Sequence, residues 1–160
     1  MKRSVHELGK LEKRAPTARR DTFEVIVLGP FDNNRNDVQA INDCGQLAGV
    51  FFSENTGRIE AFREESGKRT ALGTLGGSFS IARDINNHGA IVGGSLTEGD
   101  ESFHGFLYRH HRLYDLNEFL QPRGGWELIQ AFAINNRGEI VGVGSHNGRD
   151  HIVLLRPKTE

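Results

Sequence analysis

"DINNHGAIVGGSL", residues 84–96, reads as the end of one strand, a tight turn and a returning strand. The same device stands upstream as "AINDCGQLAGVFF" (40–52) and downstream as "AINNRGEIVGVGS" (133–145). Asn and Asp side chains cap turn amides, and glycine takes φ > 0 at no steric cost. The pattern therefore predicts that Asn42, Asn86 and Asn135 bond to backbone within their own turns. It also predicts positive φ at Gly45, Gly89 and Gly138. The returning stretches "QLAGV", "AIVGG" and "EIVGV" do not alternate, as expected of inner strands covered on both sides. Gly49, Gly93 and Gly142 fall inside them, where glycine is costly unless another backbone approaches closely.

Working outward, Leu28, Leu72 and Leu116 each end a short strand-like run and are spaced by 44 residues. The Ile-Asn pairs at 41, 85 and 134 are spaced by 44 and then 49, so the third unit carries five extra residues within "QPRGGWEL". One period holding over several landmarks marks internal repetition. Each unit reads as four strands; in the second they are 69–72, 80–85, 90–95 and 104–108. The expected fold class is all-β, with three four-stranded antiparallel units of about 44 residues at about 23–66, 67–110 and 111–157. Such units suit a β-propeller-like arc, in which Phe23–Leu28 completes the last sheet beside His151–Leu155. A β-trefoil or another threefold β architecture is the rival reading.

The fourth strand carries "EAF" (60–62), "HGF" (104–106) and "HIV" (151–153). With "LGTLGG" (72–77) and the ending "LYDLNEFLQPRGGWELIQAFAINNRGEIVG", these resemble the HAF-repeat family, named for a His-Ala-Phe triplet at this place. The resemblance runs from about Phe23 to Pro157, although Glu60, Gly105, Ile152 and Val153 depart from the triplet. It implies a repeat protein, often labelled extracellular, of which this chain is a short or truncated member. No activity transfers with the motif.

Composition agrees with a turn-rich sheet protein: 20 of 160 residues are glycine, against a usual share of about 7%. The length fits one domain, residues 21–157, after a basic arm at 1–20 that is expected to be disordered. Seven basic residues against two acidic ones give that arm net +5, which leaves −6 on the rest of a chain of net −1. Such an arm offers nucleic acid or anionic lipid a contact, although a solvated tail is the plainer reading. Cys44 has no partner for an internal disulfide. No run is long enough for a membrane-spanning helix, and the start lacks the apolar core of a secretory signal, so the chain reads as cytoplasmic as written.

Chemistry-bearing motifs are sparse. His110-His111 are adjacent, so on a strand they would face opposite ways, and an exposed hairpin turn suits them better than a metal. His104, His151 and Glu60 share one repeat position and are expected to hydrogen-bond the sheet. Glu98, Asp100 and Glu101 lack the spacing of a calcium loop. Cys44 takes the turn position that His88 and Arg137 occupy elsewhere, which suits an exposed side chain. Trp126 fits a core cap better than a ligand-stacking platform. No catalytic, cofactor-binding or metal-binding residue is assigned.

The expectation is thus a non-catalytic binding or scaffold module for a glycan, peptide or protein. The alternatives are a hydrolase or lyase with carboxylates or histidines gathered at an axis, and a truncated gene product without independent function. Three units leave two open ends, so self-association into a dimer is expected.

Overall fold

The computed structural model describes residues 22–28, 36–121 and 124–158. The basic arm at 1–20 lies outside them. The described residues are mostly β, with no α-helix and two short 3-10 turns, Glu98–Asp100 and Leu116–Phe119. Strands β1 (Asn36–Ile41), β2 (Leu47–Ser53), β3 (Arg58–Glu65) and β4 (Lys68–Gly73) form one antiparallel meander. A second comprises β5 (Gly76–Ile85), β6 (Ile91–Thr97), β7 (Phe103–Arg109) and β8 (Arg112–Asp115). A third has only β9 (Trp126–Ile134), β10 (Ile140–His146) and β11 (Arg149–Leu155). A single parallel bridge, Ile59 to Phe79, joins the first two meanders into an eight-stranded mixed sheet. The third remains a separate three-stranded sheet with β11 at its edge.

Two expectations need correction. Phe23–Leu28 is neither a strand nor paired with β11; it is irregular, and Phe23, Val25 and Val27 are more than four-fifths exposed. A lone strand has no ladder for its backbone groups, so β-prone residues alone do not hold it extended. Consequently the third meander has three strands among the described residues rather than four.

The three Asn-x-x-Gly turns repeat in detail. The Asn42 side-chain oxygen accepts from the amides of Cys44 and Gln46, at 3.1 and 2.9 Å. Asn86 holds His88 and Ala90 in the same way, both at 3.0 Å, and Asn135 holds Arg137 and Glu139. Gly45, Gly89 and Gly138 have φ of +75°, +73° and +76°.

A β-bulge recurs as well. The ladder skips Gln39 in β1, Arg83 in β5 and Phe132 in β9, always opposite the glycine of the returning strand. Bulging tips a carbonyl across the ladder. At Gly93 an added Cβ would lie 1.9 Å from the Ile81 oxygen, and at Gly49 2.0 Å from the Asp37 oxygen. Close backbone approach is therefore why these strands contain glycine, and the rings of Phe62 and Phe106 lie over the same two glycines.

The core lies between successive meanders. Ala48, Ala61 and Leu72 of the first pack with Ala82, Ile85, Ile91, Phe106 and Tyr108 of the second. Val92 and Leu116 of the second pack with Leu128, Ala131, Ile134 and Ile140 of the third. Each buried Phe, Leu or Ile contributes roughly 1.5–3 kcal/mol of transfer free energy. On the far side of the first meander, the Arg69 guanidinium sits 4.0 Å over the Phe62 ring and donates to Glu64. The outward face of the third meander has no such cover, and Ile152 there is 90% exposed.

Candidate functional site

Register, not sequence proximity, builds the most distinctive surface group. β9 and β10 pair Trp126 with His146 across the ladder. Their rings stack at 4.7 Å between centroids and 20° between planes. His151, on β11, meets the indole edge-on at 5.4 Å. His146 Nε2 is 2.8 Å from the Gly124 carbonyl oxygen, which anchors the imidazole to the turn before β9. Gly125, at φ +78°, makes that turn possible.

Beside this stack lies a shallow cleft of about 310 Å³ lined by Asn117, Glu118, Leu120 and Trp126. Of the lining residues Asn117 is held in place: its side-chain oxygen accepts from the Leu128 amide at 2.6 Å and its amide donates to the Leu128 carbonyl at 3.1 Å. Asp115 caps the 3-10 turn by accepting from the Asn117 backbone amide at 2.8 Å. Glu118 and Trp126 thus both line this open groove. Trp126 was expected to cap the core; the structure leaves it about one-third exposed, at the end of an edge strand, with histidines on two sides. Sequence reading missed His146, whose link to Trp126 depends on two register shifts in the β9–β10 ladder.

The other candidates have local partners. His104 lies between two carboxylates, with Nδ1 2.6 Å from Asp115 Oδ2 and Nε2 3.2 Å from Glu127 Oε1. Both ring nitrogens are thereby occupied, which leaves neither directed at open space. Glu60, buried, accepts from the Thr56 hydroxyl at 2.9 Å. Glu60, His104 and His151 hold equivalent repeat positions, yet each has its own partners. Among the described residues no group of three or more His, Cys, Asp or Glu side chains is placed to hold a metal ion.

His110 and His111 form the exposed turn between β7 and β8, at φ +50° and +61°. Cys44 is exposed in its Asn-x-x-Gly turn. Asp100 does more than face solvent: it accepts from the Ser78 hydroxyl and amide, both at 2.7 Å, and these bonds hold its carboxyl below the usual range.

Among the described residues no helix is long and apolar enough to cross a membrane. No protein-family model matches the chain, and no curated protein or solved structure matches it either.

Proposed function

We propose that the chain is a HAF-repeat, propeller-like arc serving as a non-catalytic binding module, with the Trp126 groove as its recognition site for a glycan. The observation that carries this reading is the stacked Trp126–His146 pair beside the open cleft of Asn117, Glu118 and Leu120. A flat aromatic platform covers the apolar face of a sugar ring, while adjacent amide and carboxylate groups take its hydroxyls. The stack is held in place before any ligand arrives, because His146 is tied to Gly124 and Asn117 to Leu128. Such preorganisation lowers the entropic cost of binding.

The three bonding patterns at residues 42–46, 86–90 and 135–139 support the repeat reading, and the meander order supports an arc of sheets set face to face. Catalysis is less well supported. His104 is engaged on both nitrogens, and Glu60 and His151 stand apart from it.

Trp126 is the chain's sole tryptophan, so its emission reports on the groove alone. Titration with a panel of oligosaccharides should quench or shift that emission for at least one sugar class. Asn117→Ala and Glu118→Gln should weaken the response, and Trp126→Phe should weaken binding on a glycan array. Emission that responds to peptides and to no sugar would replace the glycan by a peptide. No response to either class would remove the groove from the proposal.

A further inference from the structure

The outer edge of β11 and the exposed segment Phe23–Leu28 complement each other, and the first two meanders show how. In the first, β4 pairs with β3 as Phe62–Ala71, Arg63–Thr70 and Glu64–Arg69. In the second, β8 pairs with β7 as Phe106–Asp115, Leu107–Tyr114 and Tyr108–Leu113. Both ladders place the residue before Leu72 or Leu116 opposite the phenylalanine of the repeat. Leu28 is the same landmark one period earlier, and Val153 is the third counterpart of Phe62 and Phe106. The shared register would set Val27 opposite Val153, Ile26 opposite Leu154, Val25 opposite Leu155 and Glu24 opposite Arg156. Four pairs follow, three apolar and one of opposite charge.

Burial points the same way. Leu72 and Leu116 are 8% and 4% exposed, packed with Ile85 and Ile91 or with Ile134 and Ile140 of the following meander. Leu28 is 64% exposed, and so is its counterpart surface, since Ile41 is 67% exposed where Ile85 and Ile134 are buried. The strand thus belongs over the first meander of its own chain while its outer partner is a β11. The chain's own β11 lies beyond β5–β8, which separate the first and third meanders by two layers of core. From His151 to Leu155 that edge carries no Lys, Glu or Pro, the residues that ordinarily guard an unpaired strand.

We infer that two copies of this chain associate by strand exchange. Phe23–Leu28 of each copy adds antiparallel to the outer edge of β11 of the other. The exposed face of the third meander, with Val141 and Ile152, then meets the exposed Val38 and Ile41 of the partner's first meander. Ile152 is bulkier than Ala61 and Gly105 at the same position, so this junction is wider than the internal ones. Two copies supply six units, and both open ends close at once. The inference does not rest on what the Trp126 groove binds.

Light scattering on the full chain should give about twice 17.8 kDa. A Val25→Pro/Ile26→Pro double variant removes strand donors of both parities from a segment that is exposed in the single chain. It should run as a monomer with an unchanged far-ultraviolet circular dichroism spectrum. On a Cys44→Ser background, Ile26→Cys in one preparation and Leu154→Cys in another should yield a disulfide-linked heterodimer when mixed and oxidised. A monomeric wild-type chain would overturn the inference, as would a dimer that survives the two prolines. So would a doubly substituted Ile26→Cys/Leu154→Cys chain that closes only on itself.

Discussion

The side-chain amide of Asn42 donates to the main-chain carbonyl of Asn86, 3.0 Å away and 44 residues further on. Asn86 repeats the gesture toward the Asn135 carbonyl at 3.1 Å. One residue type therefore does two things: its oxygen shapes its own turn, and its nitrogen ties that turn to the next. The backbone amides of Asp43 and Asn87 add parallel ties, to Asn87 Oδ1 and Asn136 Oδ1. Asn135 has no following turn among the described residues, and its nitrogen turns back to Glu139 at 2.6 Å.

That asymmetry can be measured. Asn86→Ala deletes two turn bonds and the tie to Asn135 at a buried position, and should cost about 2–3 kcal/mol. Asn135→Ala deletes turn bonds at an exposed position, where water replaces the lost partners, and should cost about 1 kcal/mol. Urea denaturation at neutral pH distinguishes them. Equal losses would mean that the ladder between turns carries no stability.

The two glycine classes should also separate. At Gly93 the obstacle is the Ile81 carbonyl, which cannot withdraw without opening the β5–β6 ladder. Gly93→Ala should therefore cost about 3 kcal/mol, the upper end of the usual overpacking cost, because the obstacle is backbone. At Gly89 an added Cβ meets only the tips of the Gln46 and Arg63 side chains, 3.4 and 3.9 Å away, so the penalty is the positive φ itself. Gly89→Ala should cost about 1–2 kcal/mol. Thermal melts in which Gly89→Ala is the more damaging substitution would contradict this ordering.

What the sequence revealed follows the range of the interactions. The Asn-x-x-Gly turns were legible because the side-chain bonds and the glycine that shape each one lie within five residues, whereas the ties between turns were not. The four strands read for the second unit, 69–72, 80–85, 90–95 and 104–108, were legible to within a few residues at each end. But 69–72 is β4 and pairs within the first meander, which only the β3–β4 ladder shows. The bulges at Gln39, Arg83 and Phe132 were not legible, since an unpaired residue is defined only against its partner strand. Phe23–Leu28 shows the converse: its composition is strand-like, but a strand exists only with a neighbour. Trp126 was misjudged because its exposure depends on β9 being an edge, and its stacking on His146 depends on register.

Acid should find a specific weak point at Glu139. Its carboxylate accepts from Asn135, Arg156 and Arg137, and these bonds pull it from the ordinary 4.5 to about 2. A carboxylate depressed in the folded state stabilises fully above the unfolded pKa and loses that contribution as pH falls through the folded one. The window is therefore about pH 4.5 down to 2. Glu139→Gln should remove part of the loss in urea midpoint seen across that interval, while lowering the midpoint at pH 7. An identical pH slope in both proteins would assign the acid sensitivity elsewhere.

The last prediction concerns how the first two meanders are joined. Only one ladder bridge, Ile59 to Phe79, crosses between β3 and β5. Beside it the Ser80 hydroxyl accepts from the Ala61 amide at 2.8 Å and donates to the Gly73 carbonyl at 2.6 Å, and the residue is fully buried. A single hydroxyl thus satisfies one group on β3 and another at the end of β4. Alanine there would remove the partner of a buried donor and of a buried acceptor. Each such loss costs about 1–3 kcal/mol, so Ser80→Ala, which makes two, should destabilise by roughly 2–6 kcal/mol. Two residues earlier, Ser78→Ala loses only an exposed bond to Asp100 and should cost well under 1 kcal/mol. Hydrogen exchange supplies the local readout: the Ala61 amide should exchange faster in Ser80→Ala than global destabilisation alone requires. If Ser80→Ala melts like wild type and Ala61 stays protected, the joint is held by side-chain packing between the meanders and not by this hydroxyl.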